Sequence, residues 1–300
     1  MRPWKTPLVV ISFFIYIIIS KTYQMYIKHG KIADRLSKNG TLENILSDKN
    51  LDIGNHTDKR QFKHFLILSE ARSGSTYLQD LINKHSHLTS YDELLSQVQL
   101  SKFQLDDIRN KSEYILRCIK PDANIPGILT GFKVFISQLK ASKLELKKLM
   151  TLLENPAVIV LQRCNLLDQY ISLVKATRTQ QWTSQMKGKT ERSPFNLDIE
   201  NFENYATSQN EHWKIILNEL KSYPYVMYVT YDDILQKTTE LPNAIFTFLG
   251  YPSSDKPFLN LTSFKRQRKA ALEDTLDNYE DVKDQIVKWE ESQFNRLSNC

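Results

Sequence analysis

The stretch Phe65-Leu-Ile-Leu-Ser-Glu-Ala-Arg-Ser-Gly-Ser-Thr76 decides the fold, because it joins an apolar run to a helical pattern through small residues. Residues 65–68 predict a buried strand, and the pattern from Thr76 to Lys84 predicts a helix. Gly74 allows close approach of a ligand to the backbone, and the N–H groups that begin the helix attract anions. Guanidinium and hydroxyl groups suited to phosphate or sulfate come from Arg72, Ser73, Ser75 and Thr76. A serine or threonine helix cap explains the same residues without a ligand, so this stretch alone does not decide between the two.

Apolar runs alternate with amphipathic segments along the rest of the chain. Near-continuous apolar strands separated by helices favour a parallel sheet covered on both faces. We therefore predict one α/β domain with a P-loop-like three-layer fold, in which helices flank a central parallel sheet. The predicted strands are Phe62–Leu68, Ile128–Phe135, Ala157–Leu161 and Tyr225–Val229, and the predicted helices are Thr76–Lys84, Lys140–Leu153, Leu166–Thr179 and Ile199–Leu220.

A second polar pair follows the predicted strand Ala157–Leu161. Arg163 lies just beyond the end of this strand, at the edge where open α/β sheets bind ligands. Ser172 lies on the following helix and can turn back toward the same crevice. One arginine and one serine are weak indications by themselves, because such residues are common on protein surfaces.

The N-terminus predicts a membrane anchor. Arg2 and Lys5 precede an apolar run from Leu8 to Ile19, and aromatic residues on both sides extend the span. Ile18 fits the small-residue cleavage pattern poorly, so an uncleaved signal anchor is favoured over a cleaved signal peptide. We therefore divide the chain into a cytoplasmic tip and anchor helix (1–26), a polar stem in the lumen (27–61) and the catalytic domain (62–300). Cleavage, the alternative, would give a secreted protein.

Charge and cysteine content restrict the partners. The net charge of +6 suits an anionic ligand, a membrane surface or nucleic acid. The basic residues form no long run, which argues against nucleic acid. The three cysteines are Cys118, Cys164 and Cys300; their spacing indicates no metal site, and a Cys118–Cys164 bridge is one pairing to consider in an oxidising lumen. Glycosylation sequons occur at Asn39, Asn55, Asn110 and Asn260.

Two segments of the sequence resemble segments of one enzyme family, and they occur in the same order as in that family. Residues 65–93, FLILSEARSGSTYLQDLINKHSHLTSYDE, resemble the 5′-phosphosulfate loop of sulfotransferases that use 3′-phosphoadenylyl sulfate (PAPS). Residues 161–182, LQRCNLLDQYISLVKATRTQQW, resemble their 3′-phosphate segment. The resemblance is greatest to the Stf-zero and NodH group, which sulfates sugars, and it extends over residues 62–282. Tyr228–Asp233, Phe248–Gly250 and FKRQRKAALEDTLDN (264–278) agree with it.

This resemblance implies a role for each matching position. Glu93 would be the base that activates the acceptor hydroxyl, and Arg163 with Ser172 would hold the 3′-phosphate. Lys265 and Arg266 would belong to a basic loop that closes over the donor. The 5′-phosphosulfate would be gripped by Arg72, Ser73, Gly74, Ser75 and Thr76, with Arg72 also assisting the transfer.

The resemblance also implies the function. The expected activity is transfer of a sulfuryl group from PAPS to a hydroxyl group, with no metal and with a carbohydrate as the expected acceptor. From the predicted anchor and the sequons, the expected location is the Golgi membrane, as a single-pass type II protein that is compatible with a homodimer. Alternatives are a nucleotide-dependent kinase, against which the missing GxxxxGK[ST] lysine counts, and an inactive sulfotransferase-like protein that binds glycans.

Overall fold

The computed structural model describes residues 62–121, 127–183, 185–186, 194–251 and 271–294. The predicted anchor and stem, and also Lys265 and Arg266, lie outside these ranges. None of the helices within the described ranges is both long enough and apolar enough to cross a membrane.

Five strands in the described ranges form a single sheet with the order β2-β3-β1-β4-β5. Every neighbouring pair is parallel, so the carboxyl ends of all five strands lie at one edge. The predicted α/β fold with a central parallel sheet is confirmed. The strands are β1 (His64–Ser69), β2 (Leu88–Tyr91), β3 (Leu129–Phe135), β4 (Ala157–Gln162) and β5 (Val226–Thr230).

Helices connect the strands and cover both faces of the sheet. In chain order they are α1 (Ser75–Ile82), α2 (Gln97–Lys102), α3 (Ile108–Cys118), α4 (Ile136–Ser142), α5 (Leu146–Leu152), α6 (Leu166–Thr179), α7 (Ile199–Leu220), α8 (Tyr231–Gln236), α9 (Glu240–Phe248) and α10 (Tyr279–Phe294).

The central strand β1 is buried on both faces. Phe65 and Ile67 pack in the apolar cluster that includes residues of α1, α8 and α9. Leu66 and Leu68 pack on the opposite face, with residues of α3, α4, α5 and α7. All four side chains are fully buried, and each contributes about 1.5–3 kcal/mol by removal from water. This double burial explains why the strand is an uninterrupted apolar run, and it fixes the base of the loop that follows.

Gly131 sets how closely β3 approaches β1. It pairs with Phe65 across the two strands. A Cβ atom placed on Gly131 would lie 2.2 Å from the carbonyl oxygen of Phe65 and 2.6 Å from its ring. The ring of Phe65 therefore occupies the space that any side chain at position 131 would need.

Two predicted elements differ from the structure. Strand β2 was missed, because it has four residues and Leu88 is the only buried aliphatic side chain among them. The single helix predicted over Lys140–Leu153 is wrong, because the chain turns at Lys143, where φ is 58°. This left-handed residue ends α4 and lets α5 start in a new direction.

Candidate active site

The loop after β1 has an unusual backbone. Arg72 has φ = 64° and Gly74 has φ = 90°, so both residues adopt the left-handed region that non-glycine residues rarely enter. A Cβ atom on Gly74 would lie 3.0 Å from the ring of Tyr231. Gly74 therefore satisfies two demands at once, a positive φ and a close aromatic neighbour. Helix α1 begins at the next residue, Ser75, so its N–H groups face the carboxyl edge of the sheet.

Hydroxyl groups in this loop are partly committed to internal contacts. Ser73 is fully buried, and its Oγ donates to the carbonyl oxygen of Glu70 at 2.7 Å. The Oγ of Thr76 accepts from the Nζ of Lys133 at 3.4 Å. Gln169, on α6, donates from Nε2 to the carbonyl oxygen of Ala71 at 2.7 Å. These bonds hold the loop in place, and the bond from Ser73 stabilises the conformation of the loop.

Arg72 points from the loop toward α6. Its Nε atom donates to the Oγ of Ser172 at 3.0 Å, and its Nη1 atom donates to the carbonyl oxygen of Trp182 at 2.5 Å. Burial, and then the positive charge of Arg163, lower the pKa of Arg72 to about 10. The guanidinium group therefore remains charged at neutral pH, and it lies near a second cation, Arg163.

Arg163 completes this group from the end of β4. Its Nη1 atom donates to the carbonyl oxygen of Arg72 at 3.2 Å, and its Nη2 atom lies 3.5 Å from a carboxylate oxygen of Asp168. The guanidinium carbon stacks over the ring of Tyr231 at 4.3 Å from the ring centre. The structure therefore brings together Arg72, Arg163 and Ser172, which the sequence had placed in two separate segments.

Glu93 lies on the other side of the loop, just after β2. One of its oxygens is 3.2 Å from the Nζ of Lys133, and the other accepts from the Nε2 of Gln138 at 2.7 Å. Burial raises the pKa of Glu93, and the charge of Lys133 opposes that rise. The side chain remains 27% exposed, so it is both held and accessible. Because Lys133 also contacts Thr76, one lysine links Glu93 to the loop.

Lys133 is the main residue that the sequence analysis missed. It lies within the buried strand β3 and its side chain is 3% exposed. Burial would lower the pKa of Lys133, but the carboxylates of Asp92 and Glu93 raise it above its ordinary value. The signal was available in the sequence, since a lysine interrupts the apolar run Gly131-Phe-Lys-Val-Phe135. A charge inside such a strand requires a partner or a function.

The cysteine bridge considered from the sequence is wrong. Cys118 is a free thiol and Cys164 is disulfide-bonded. Cys118 precedes Ile119, whose carbonyl oxygen accepts from the Oγ of Thr130 near the start of β3. Cys164 follows the end of β4. The two residues therefore lie near opposite edges of the sheet.

The histidine pair His85 and His87 lies away from the loop. The carbonyl oxygen of His87 accepts from the N–H of Leu129, the first residue of β3, which places the pair at the amino edge. Both rings contact Tyr251. Burial, and then the charge of His87, lower the pKa of His85 to about 4. Across the ranges the structure describes, no three His, Cys, Asp or Glu residues are grouped so as to hold a metal ion.

Comparison with known proteins gives a family match over most of the chain. The sulfotransferase domain family matches residues 62–299. Nodulation protein H from Rhizobium tropici is 26% identical over 222 residues, which cover 73% of this chain and 87% of that protein. Nodulation protein H from Rhizobium meliloti is 24% identical over 247 residues, 78% of this chain and 96% of that protein.

A solved structure is also similar. The crystal structure of a sulfotransferase from Alicyclobacillus acidocaldarius covers 77% of this chain and 93% of its own, with 11% identity and a TM-score of 0.46. The family match, which spans the loop, Arg163, Ser172 and Glu93, confirms the enzyme class predicted from the sequence, a sulfotransferase with PAPS as co-substrate. This chain belongs to the sulfotransferase family.

Proposed function

We propose that this sulfotransferase transfers the sulfuryl group of PAPS to a hydroxyl group of a carbohydrate, with Glu93 as the proton acceptor. The observation that carries the proposal is the convergence of Arg72, Arg163 and Ser172 beside the loop. Two adjacent guanidinium groups favour a ligand with several negative charges. The carbohydrate is supported by the similarity to nodulation protein H and by the Stf-zero and NodH resemblance.

In the proposed reaction the acceptor oxygen attacks sulfur in line with the leaving group. A new oxygen–sulfur bond forms while the bond between sulfur and the 5′-phosphate oxygen breaks. The electron pair of the broken bond leaves with adenosine 3′,5′-bisphosphate (PAP), and the acceptor proton passes to Glu93. As in phosphoryl transfer, positioning and electrostatics supply most of the catalysis. Lys133 and the N–H groups at the start of α1 would stabilise the charge that develops on the sulfuryl and phosphate oxygens.

Glu93 suits the role of base for two reasons. The Nε2 of Gln138 and the Nζ of Lys133 fix the carboxylate in orientation. The charge of Lys133 also opposes the rise in the pKa of Glu93 that burial causes, which favours the ionised form that can accept a proton. The contact of Lys133 with Thr76 places this acid–lysine pair next to the loop.

Calorimetry on the full-length protein tests the donor site. We expect PAP to bind more tightly than ADP, because only PAP carries a 3′-phosphate for Arg163 and Ser172. The Arg163→Ala variant should lose about 10–100-fold in PAP affinity, the value of charge-assisted hydrogen bonds. Arg109→Ala is the matched control, because the Arg109 side chain is 87% exposed on α3 and pairs only locally, with Glu113.

Either of two results would contradict this proposal. Equal affinity for PAP and ADP would remove the basis for PAPS as donor. PAP binding without transfer from PAPS to any carbohydrate would favour the alternative function, a protein of the same fold that binds glycans without turnover.

We also propose that the enzyme acts in the Golgi lumen and is anchored by residues 1–26. The exposed sequon at Asn110 and the disulfide at Cys164 suit an oxidising, glycosylating compartment. Intact Golgi vesicles should protect the domain from added protease, and glycosidase should increase its mobility in gels. Digestion without detergent would overturn the luminal orientation. The Asn110→Gln variant, compared with wild type, shows whether this sequon is used.

A further inference from the structure

Glu70 is a buried acid that the proposed mechanism does not use. It lies between β1 and Arg72 and is 2% exposed. One carboxylate oxygen accepts from the backbone N–H of Ser137 at 3.0 Å, and the other accepts from the Oγ of Ser137 at 2.8 Å. Ser137 is exposed on the first turn of α4. The buried carboxylate of Glu70 is therefore held beside the loop after β1 (the donor loop) and next to the solvent-exposed Ser137.

One face of α7 lies against this carboxylate. The Nδ1 of His212 is 3.7 Å from a Glu70 oxygen. Burial and the negative charge of Glu70 raise the pKa of Tyr205, and the positive charge of Arg163 opposes the rise, so the phenol lies near both charges. Positions 205, 209 and 212 repeat at helical spacing. Tyr205 and His212 are the first and last of these positions, and both lie near Glu70. Gln209, which lies between them on the same face of the helix, therefore also faces Glu70.

Two buried polar atoms on this face make no hydrogen bond within the described residues. The Oε1 of Gln209 and the Nδ1 of His212 are buried and make no hydrogen bond. Gln209 is only 8% exposed as a residue, and His212 contacts Lys140 through its other ring nitrogen. Buried polar groups are almost always hydrogen-bonded in folded proteins. Unpaired buried atoms beside a reaction site therefore indicate positions that a ligand satisfies.

We propose that Tyr205, Gln209 and His212, with Glu70 beneath them, form a subsite that binds the acceptor as an uncharged, hydroxyl-rich carbohydrate. Hydroxyl groups both donate and accept, so one sugar ring can satisfy an amide oxygen, a phenol and an imidazole nitrogen. The inference rests on the proposed function and adds the residues that would select its acceptor. We refer to these four residues as the acceptor cluster.

The charges around the acceptor cluster favour a neutral acceptor. Glu70 is negative, and Ser137 is the only group that donates hydrogen bonds to its carboxylate within the described residues. The carboxylate of Glu93, on the other side of the loop, is paired with Lys133. The nearby cations Arg72 and Arg163 are assigned to the donor. Lys140 contacts the Nε2 of His212 from an exposed position, where solvent and salt screen its charge. An acidic polymer would bring further negative charge toward the buried carboxylate of Glu70, which a neutral oligosaccharide avoids.

Steady-state kinetics on the full-length enzyme test this inference. Transfer of radiolabelled sulfate from PAPS is measured to maltotetraose, chitotetraose and trehalose as neutral acceptors, and to heparosan as an acidic one. Tyr205→Phe and Gln209→Leu remove single polar atoms while keeping side-chain size. We expect each variant to raise the acceptor KM about 3–10-fold, the value of one hydrogen bond, with little change in kcat. Glu211→Gln, exposed on the same helix, is the control.

Calorimetry with PAP on the same variants separates the outcomes. Unchanged PAP affinity with a raised acceptor KM supports the acceptor cluster. A parallel loss of PAP affinity would assign these residues to the donor, and an unchanged KM in both variants would also overturn the inference. Transfer to heparosan alone would overturn the neutral acceptor but leave the proposed function intact. Failure of wild type to bind PAP, or PAP binding with no transfer to any of the four carbohydrates, would instead contradict the proposed function itself.

Discussion

The Nε atom of Arg72 donates a hydrogen bond to the hydroxyl group of Ser172 at 3.0 Å, across 100 positions of sequence. Each residue belongs to a different segment of the donor site. This bond therefore joins the loop to helix α6 through two groups that would contact the donor.

Loss of the Ser172 hydroxyl should weaken donor binding modestly. Ser172→Ala removes one hydrogen bond to a charged group, so we expect about a 10-fold loss of PAP affinity by calorimetry. Ser101→Ala, at an exposed position on α2, should bind PAP as wild type does. Unchanged affinity in Ser172→Ala would mean that Ser172 only orients Arg72.

Bound PAP should stabilise the fold. Arg72 and Arg163 repel each other, and this repulsion contributes to the lowered pKa of Arg72. At 100 times its Kd, a ligand that binds only the folded state adds about 2.7 kcal/mol. For a domain of this size the Tm should rise by about 5–10 °C. Scanning calorimetry with PAP and with adenosine tests this, since adenosine lacks the phosphates. An equal shift with both ligands would contradict the assignment of the arginines.

Lys133 should control the pH at which Glu93 works. Burial raises the pKa of Glu93 and the positive charge of Lys133 opposes that rise, so Lys133→Met should raise this pKa further. The base would then be protonated over a wider range, and the acidic limb of the kcat profile should move to higher pH. We expect kcat at neutral pH to fall by about 10²–10³, as for other charged donors at a reaction centre.

Two further variants complete that measurement. Lys133→Arg keeps the positive charge and should leave the acidic limb closer to that of wild type. Glu93→Gln should remove the limb and lower kcat by about 10²–10⁴. An unshifted limb in Lys133→Met would show that the titrating group is not Glu93.

Gly74→Ala should damage both stability and activity. The new methyl group would lie 3.0 Å from the ring of Tyr231 at a backbone φ of 90°. We expect the free energy of unfolding to fall by about 1–3 kcal/mol, measured by urea denaturation. Gly127→Ala is the matched control, because its φ is 79° but no atom lies within 4 Å of its added Cβ. The difference between the two variants isolates the contact with Tyr231 from backbone strain.

The sequence was sufficient for the parts that depend on local pattern. The run from Phe65 to Leu68 and the small residues after it predicted the strand, the loop and the helix in their observed order. The contact between Arg72 and Ser172 was beyond local pattern, because it depends on how β1 and α6 pack. The end of α4 at Lys143 could not be predicted either, because a lysine does not indicate the left-handed conformation that this residue adopts.

Polar residues in buried positions were the hardest to assign. Lys133 was overlooked because the strand around it is apolar, and its partners Asp92 and Glu93 follow a strand of only four residues. His212 and Trp213 are neighbours within the helix predicted over Ile199–Leu220, and the sequence alone does not distinguish their surroundings. Trp213 packs in the core at 7% exposure, whereas His212 points toward Glu70. Adjacent helix residues face different directions, and only the fold shows which of them meets a charge.

Substitutions at Gly131 should affect this enzyme indirectly. A side chain there would push against Phe65, which lies on β1, the strand that leads into the donor loop. Displacement of β1 would carry Arg72 with it. An inherited or engineered substitution at Gly131 could then abolish sulfation while every residue of the reaction centre is unchanged, and a genetic screen would wrongly count this glycine among the groups that contact the donor.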